Sequence, residues 1–157
     1  MAIRVQSQDF DIGAELATLT EGRHEIGGLA VFVGLVRAKV GNDGAPAAVE
    51  AMTLEHYPGM TERKLAEIEA EALQRWPLSA SLIVHRYGRL VPGERIVMTA
   101  CASAHRQAAF EACAFLMDWL KTKAPFWKLE EQGGDEAWVE ARASDADAEA
   151  RWRKVKD

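Results

Sequence analysis

Apolar positions in the first quarter of the chain predict a short strand, a short helix and a longer strand. Residues 3–5 have the apolar spacing of a first strand. Asp9 or Asp11 can cap a brief helix that ends near Thr20, because a carboxylate there accepts hydrogen bonds from the free N–H groups of the first turn. Residues 27–37 are apolar and rich in β-branched side chains, which predicts a buried strand.

The middle of the chain predicts strands on both sides of a helix. Residues 38–49 are rich in Gly, Ala, Asn and Asp and show no periodicity, so we expect a mobile loop. A strand follows over residues 49–56, and residues 61–76 carry one apolar stripe at helical spacing. Residues 81–87 and 95–102 then predict two strands joined through the turn sequence LVPGE.

The last third of the chain predicts a second long helix followed by a hairpin. Apolar residues at helical spacing place the helix over residues 104–123. Residues 126–131 and 137–141 predict the hairpin, and residues 144–153 predict a short polar helix. From the strand at 49 onward the order is β-α-β-β-α-β, which favours an α+β sandwich of helices on an antiparallel sheet.

The composition is that of one globular domain spanning residues 1–157, with 48% hydrophobic residues, 27% charged residues, 12 Gly and 5 Pro. The net charge of −5 argues against non-specific nucleic-acid binding, since that binding depends on neutralising phosphates. The longest apolar stretch, residues 29–36, is far shorter than the ~20 residues of a membrane span. Because the two cysteines show no metal or redox spacing, we expect a soluble protein of the reducing cytoplasm.

Standard cofactor and metal motifs are absent from the sequence. It contains neither the phosphate-binding pattern G-x-x-x-x-G-K nor the dinucleotide pattern G-x-G-x-x-G. His24 and Glu25 would begin the zinc motif H-E-x-x-H, but Gly28 stands where the second histidine is needed. The four histidines lie on separate predicted elements, so we expect no metal site and no bound cofactor.

Two basic clusters indicate an anionic ligand. Residues 119–128 contain no acid, although the protein is acidic overall. Alternatively, Lys121 and Lys123 only complement the negative end of the helix, which contributes ~0.3–1 kcal/mol. His105 and Arg106 lie in the first helical turn, where the dipole disfavours cations, so they are typical of an anion site. The alternative there is a solvated arginine and a capping histidine.

Aromatic residues and a further arginine suit a flat anionic ligand. Phe126 and Trp127 stand beside lysines and can stack on a heterocycle, although aromatic residues at the start of a strand more often belong to the core. Arg37 ends an apolar strand and either binds an anion or is a simple charge at the strand end. The residues alone leave both interpretations open.

Six segments together resemble the catalytic, large subunit of molybdopterin synthase. They follow one another over most of the chain as FVGLVR (32–37), LEHYPGMTE (54–62), HRYGRLVPGE (85–94), SAHR (103–106), FEACAFLMDWLKTKAPFWK (110–128) and WVEAR (138–142). Each short string is weak alone, whereas the combination is specific. The resemblance implies a hammerhead-like α+β fold with an additional small β subdomain.

The resemblance also implies an activity, which is sulfur transfer in molybdenum cofactor biosynthesis. The family converts cyclic pyranopterin monophosphate into molybdopterin by installing two sulfurs as a dithiolene. Each sulfur arrives as a thiocarboxylate on the C-terminal Gly-Gly of a small ubiquitin-like carrier subunit. This chain ends in Val155-Lys156-Asp157, so it resembles the subunit that accepts the sulfur.

The same resemblance implies roles for particular positions. Lys121 matches the essential catalytic lysine and Lys128 its neighbour; two ammonium groups in contact lower each other's pKa and so raise the share of neutral amine. The implied substrate-binding positions are Leu35, Val36, Arg37, His105, Arg106, Lys121, Lys128, Leu129 and Glu130. The implied pocket lining is Phe32, Met117 and Arg142. We expect Cys101 and Cys113 to be buried rather than to carry sulfur.

We expect the active site to be shared between two copies of the chain. If residues 104–123 form one helix, His105 and Lys121 lie about 24 Å apart at ~1.5 Å rise per residue, too far to bind one small pterin together. A symmetric homodimer can bring the two helix ends together, and two carriers then complete a heterotetramer. Two alternatives stay open: a non-catalytic anion- or pterin-binding α+β regulatory module, and an RNA-binding sheet, which the acidic balance disfavours.

Overall fold

The computed structural model describes residues 2–40, 43–47, 49–132, 135–139 and 143–153. The strands are β1 (Ala2–Gln6), β2 (Gly28–Leu35), β3 (Lys39–Val40), β4 (Pro46–Ala47), β5 (Val49–His56), β6 (Leu78–Arg86), β7 (Gly88–Leu90), β8 (Arg95–Ser103), β9 (Phe126–Gln132) and β10 (Asp135–Val139). The helices are α1 (Ile12–Thr20), α2 (Met60–Arg75), α3 (Arg106–Thr122) and α4 (Ala143–Ala150). None of the helices described is long and apolar enough to cross a membrane.

The first sheet has the strand order β1-β6-β8-β2 and carries helices on both faces. β1 runs parallel to β6, whereas β8 runs antiparallel to both β6 and β2. On one face of this sheet, side chains of α2 and α3 pack against Ile83 and Cys101. On the other face, Phe10 and side chains of α1 pack against Leu82 and Met98. Because successive strand residues point to opposite faces, this double cover explains the nearly continuous burial of β6 and β8.

The second sheet has the order β10-β9-β5-β7, and its neighbouring strands are all antiparallel. Met52, Leu54 and Leu90 share a small core with Val36, which directly follows β2. This sheet is the small β subdomain that the resemblance implied. The predicted α+β class is therefore confirmed.

The strand partners differ from the single sandwich that the order β-α-β-β-α-β indicated. Its first and last strands, β5 and β9, pair with each other in the second sheet, where Leu54 lies opposite Lys128 and His56 opposite Phe126. The unpredicted strand β7 also pairs with β5. The order of elements shows only which strand follows which along the chain, whereas the pairing of strands depends on how distant segments pack.

Strand β2 was predicted to be buried, and this prediction is wrong. It lies at the edge of the first sheet, and Val31, Phe32 and Leu35 are 37%, 42% and 53% exposed. Ala30 on the same strand is buried against α3. An apolar run indicates burial in general, but another molecule can bury it as well as the chain itself.

Most element boundaries agree with the predictions. Asp11 is the N-cap of α1, and its carboxylate accepts a hydrogen bond from the amide of Ala14 at 2.7 Å. Gly59 precedes α2 with φ +80°, a conformation that favours glycine, and its amide donates to Glu62 at 2.6 Å. Inside residues 38–49, β3 and β4 pair as a short antiparallel ladder, and the mobility of this segment stays a prediction.

Candidate active site

The helix α3 and the edge strand β2 run side by side in the same direction. Gly28 lies opposite Ser103 at the end of β8, and α3 then returns across the sheet, with the Cys113 thiol 3.3 Å from Thr99 Oγ1. The start of α3 therefore lies beside the start of β2. The end of α3, with Lys121, lies toward Arg37, which follows the other end of β2.

An apolar strip, exposed at Phe110 and Phe32, connects these two ends. Phe110, Cys113 and Met117 recur at a spacing of three and four residues, so they share the face of α3 that ends at Lys121. Phe110 is 63% exposed, and on the neighbouring strand Phe32 lies next to Cys113 and is also exposed. We call Phe32, Phe110 and Met117 the β2–α3 edge.

Lys121 and Lys128 meet although they belong to different elements. Lys121 is exposed in the last turn of α3, whereas Lys128 is half-buried in β9, opposite the buried Leu54. Burial lowers the pKa of Lys128 first, and the charge of Lys121 lowers it further, while Glu130 and Asp145 act in the opposite direction. The two side chains lie close enough for the charge of Lys121 to act directly on Lys128.

Lys123 differs from its neighbour Lys121. Its ammonium pairs with Glu149 of α4 at 2.6 Å and lies 5.3 Å from the centroid of the Trp119 ring. Arg37, Arg106 and Lys121 form no ion pair with any residue that the structure describes. Stabilisation of the helix end accounts for Lys123, but three cations without such a pair in an acidic chain indicate an external anion.

The second basic cluster lies at the start of α3. His105 is the N-cap with extended backbone angles, and its side chain makes no capping hydrogen bond. The first turn contains no acidic residue, and both His105 and Arg106 are exposed. The interpretation as a capping histidine is therefore wrong, and the free N–H groups of the turn lie next to a guanidinium group.

A close backbone contact fixes the turn before α3. The amide of Gly27 donates a hydrogen bond to the carbonyl oxygen of Ser103 at 3.0 Å. A Cβ atom on Gly27 would overlap with the carbonyl oxygen of Ala104, which directly precedes His105. Only a glycine fits here without a backbone shift, so Gly27 holds the start of α3 in place.

The remaining predicted positions are not all brought to the lysine pair. The side chain of Val36 is buried in the second core, and its backbone bonds to Gly93 and Glu94, so it does not face the site. Alternation along β9 puts Leu129 on the opposite face from Lys128 and Glu130. Leu35 is exposed at the end of β2. Arg142 lies outside the described residues.

The two aromatic residues at the start of β9 contact other rings of the chain. Phe126 stacks on His85, with ring centroids 3.7 Å apart and an interplanar angle of 14°. Trp127 points to the other face and meets Tyr57 edge to face at 4.6 Å. Phe126 therefore packs inside the chain, which was the alternative to stacking on a ligand.

His85 is the residue of this region that sequence reasoning missed. It is buried, and its Nδ1 donates a hydrogen bond to the carbonyl oxygen of Arg86 at 2.8 Å. Burial, with smaller contributions from the charges of Lys121, Lys128 and His56, lowers the pKa of His85 to about 4, although the hydrogen bond to the Arg86 carbonyl oxygen acts in the opposite direction. No signal in the sequence could have found it, because His85 belongs to the first sheet and Lys128 to the second.

The two cysteines are free and buried, as predicted. Contact with Cys113 and burial raise the pKa of the Cys101 thiol, so this thiol stays protonated. Among the described residues, no three His, Cys, Asp or Glu side chains are grouped to hold a metal ion. The candidate functional groups among the described residues are therefore the basic side chains at the two ends of α3.

Comparison with known proteins identifies the family. The family described as MoaE protein matches residues 5–123. A molybdopterin synthase catalytic subunit from Pseudomonas aeruginosa is 56% identical over 154 residues, which are 98% of this chain and 100% of that relative. The solved structure of the molybdopterin biosynthesis MoaE protein from Burkholderia ambifaria MC40-6 is 52% identical, with a TM-score of 0.80 over 96% of this chain and 97% of that chain.

A more distant solved structure shares the fold. It is 17% identical, with a TM-score of 0.73 over 89% of this chain and 91% of that chain, and it is a complex of subunits 1 and 2 of molybdopterin-converting factor from Helicobacter pylori 26695. The matched family covers most of this chain, and the relative at 56% identity covers nearly all of it. The chain therefore belongs to the MoaE protein family of molybdopterin synthase catalytic subunits, which act in molybdenum cofactor biosynthesis.

Proposed function

We propose that this chain catalyses sulfur transfer from a small ubiquitin-like carrier to cyclic pyranopterin monophosphate, which forms the dithiolene of molybdopterin. The observation that carries the proposal is the contact between exposed Lys121 and half-buried Lys128 at the end of α3. In each transfer the thiocarboxylate sulfur bonds to a pterin carbon while a C–O bond of that carbon breaks, and this oxygen leaves as water or on the phosphate group. Water then hydrolyses the resulting thioester, so that the acyl C–S bond breaks and the sulfur stays on the pterin. The carrier then leaves as a carboxylate.

Lys121 is the chemically essential residue in this proposal. It is exposed, so the substrate can reach it, and its amine acts by proton transfer or by transient attachment to the substrate. Lys128 has a lowered pKa and can exchange a proton with it across the contact. Charge alone does not suffice for either role, because both need an amine that can lose its proton.

The substrate is an anion, and we propose that two copies of the chain hold it together. Arg106 and Lys121 are separated along the unbroken helix α3 by about 22 Å at ~1.5 Å rise per residue. The β2–α3 edge between them is apolar, and its Phe32 and Phe110 are exposed, which suits a two-fold contact with a second copy. His105 and Arg106 of one subunit would then bind the phosphate beside Arg37, Lys121 and Lys128 of the other.

The sulfur carrier is the remaining partner. The structure from Helicobacter pylori 26695 is a complex of two different subunits, which supports a small partner for this chain as well. The carrier presents an extended Gly-Gly tail, since glycines allow the close backbone approach that a narrow entry demands. With two carriers on a homodimer, the assembly is a heterotetramer. We place it in the cytoplasm, where both cysteines stay free thiols.

Reconstitution tests the proposal. The purified chain, a thiocarboxylated carrier and cyclic pyranopterin monophosphate should give molybdopterin, and a carrier without its Gly-Gly end should give none. Lys121→Arg keeps the positive charge but removes the amine, and a guanidinium group does not give up its proton, so turnover should fall at least ~100-fold. Lys123→Arg is the matched control, because its ion pair with Glu149 can re-form.

Three results would contradict the proposal in different ways. Near-normal turnover of Lys121→Arg would replace proton transfer or attachment by a purely electrostatic role. Full activity with the truncated carrier would remove the tail from the mechanism. Tight binding of the pterin without turnover under any condition would favour the non-catalytic regulatory module.

A further inference from the structure

A flat ring stack joins the two sheets next to the lysine pair. His85 belongs to β6 of the first sheet and Phe126 to β9 of the second, and their rings lie nearly parallel at 3.7 Å. His56 lies beside this pair, with its ring tilted against Phe126 at 6.4 Å and against Tyr87 at 4.4 Å. The stack is therefore a direct side-chain contact between the sheets at this point.

The stack also determines where Lys128 lies. Phe126 and Lys128 are two residues apart on β9, so their side chains project from the same face of the strand. When Phe126 lies flat on His85, that face is held toward the first sheet and the end of α3. Lys128 thereby reaches Lys121 and becomes half-buried.

The charge state of His85 matters because the charges around it are mainly positive. Lys121 from α3, Lys128 from β9 and His56 from β5 act on it, while Glu130 and Asp145 act on Lys128. Nδ1 is held as a donor by the carbonyl oxygen of Arg86, which can only accept. A protonated His85 would add a third positive charge in a buried place, so the neutral ring is the form compatible with the lysine pair.

We propose that His85 is a positioning residue of the lysine pair: its neutral ring, stacked on Phe126, holds Lys128 half-buried beside Lys121. The inference rests on the proposed function, because it explains how the chain keeps one amine of the pair ready to lose its proton. It assigns His85 no contact with the pterin or with the carrier.

Two substitutions separate the stack from the hydrogen bond. His85→Phe keeps a flat neutral ring and loses the donor to Arg86, whereas His85→Gln keeps a donor and loses the flat ring. Acetylation of the full-length chain by acetic anhydride over a pH series, followed by peptide mass spectrometry, reports the titration midpoint of each lysine. Lys64, which is exposed on α2, serves as the internal reference.

The expected results differ between the variants. In the parent chain and in His85→Phe, Lys128 should titrate at lower pH than Lys64. In His85→Gln, the Lys128 midpoint should move toward that of Lys64. At a fixed pH below both midpoints, each rise of about one pH unit in the Lys128 midpoint should lower the reactivity of Lys128 relative to Lys64 about tenfold. Turnover in the reconstituted reaction should follow, with a loss of about 10- to 100-fold for His85→Gln alone.

Unchanged Lys128 titration in folded His85→Gln would overturn the inference, and so would a Lys128 that titrates like Lys64 in folded His85→Phe. If His85→Gln does not fold, Phe126→Leu removes the other half of the stack and must move the Lys128 midpoint in the same way; an unchanged midpoint there also overturns it. The acetylation measurement needs neither pterin nor carrier. If the titration pattern holds but no molybdopterin forms, the proposed function fails while the positioning role stands.

Discussion

At the scale of single residues, burial and contact decide which basic groups are chemically useful. Lys121 and Lys123 are neighbours in sequence, yet Lys123 pairs with Glu149 whereas Lys121 contacts Lys128. His85 is one of four histidines in the chain, and its burial against Phe126 keeps it neutral. Residue type alone does not distinguish these cases, because each depends on what surrounds the side chain.

The neutral state of His85 makes a prediction about stability. Burial lowers the pKa of His85 to about 4, whereas an unfolded histidine titrates near ~6.5. Between these values the unfolded chain binds a proton that the folded chain does not. The contribution of neutral His85 to the free energy of unfolding is therefore complete above about pH 6.5, and it falls as the pH drops toward about 4.

The test compares Tm of the parent chain with that of His85→Phe over this pH window. The variant has no imidazole to protonate, so its Tm should fall less between the upper and the lower end of the window than the Tm of the parent chain. All carboxylates are common to both proteins, so their titration cancels in the comparison. Equal falls in Tm would show that the folded chain accommodates a charged His85.

At the scale of elements, the connection from β8 to α3 sets the position of His105 and Arg106, the proposed anion-binding end of the helix. Gly27→Ala adds a Cβ atom that overlaps with the carbonyl oxygen of Ala104, so the backbone before His105 must shift. We expect the free energy of unfolding to fall by about 1–3 kcal/mol, as for other overpacked sites. Turnover in the reconstituted reaction should fall as well, since Arg106 moves with the turn.

Gly28→Ala is the matched control for this prediction. The neighbouring glycine has nothing within 4 Å of its own Cβ position, and its φ is not in the left-handed region. Urea unfolding and the reconstituted assay should therefore give nearly parental values for Gly28→Ala. Equal effects of the two substitutions would show that loss of glycine flexibility, rather than the contact with Ala104, is responsible.

At the scale of the whole molecule, one chain keeps the two parts of the proposed anion site far apart. The unbroken α3 keeps Arg106 and Lys121 at opposite ends, and the exposed β2–α3 edge lies between them. A second copy related by a two-fold axis can bring the missing half of each site from the other chain. Dimerisation would then be part of the catalytic mechanism.

Subunit complementation tests the shared site. Arg106→Ala and Lys121→Ala should each be inactive as homodimers. After subunit exchange, a mixed dimer should contain one intact site of two, so the mixture should recover measurable molybdopterin formation. Exchange is checked independently by mass spectrometry of differently labelled chains. No recovery despite complete exchange would mean that each site is built from one chain.

Local patterns along the chain were enough for the elements and for the types of residue at the site. The apolar stripe placed α3, and a cap at Asp9 or Asp11 placed the start of α1, because helix periodicity and capping depend on residues a few positions apart. The segment without acidic residues around Lys121 indicated an anion site, and this feature also depends only on neighbouring positions. Patterns of this kind can be seen in the sequence itself, because they involve residues that are close together along the chain.

The three-dimensional structure alone decided which distant segments meet. An apolar strand such as β2 has the same pattern whether its own chain or another molecule buries it, so its exposed position at the sheet edge was not predictable. The pairing of β5 with β9 and the stack of His85 on Phe126 bring together residues that are far apart in sequence. Such contacts depend on how whole sheets and helices pack, and the lowered pKa values of Lys128 and His85 follow from that packing.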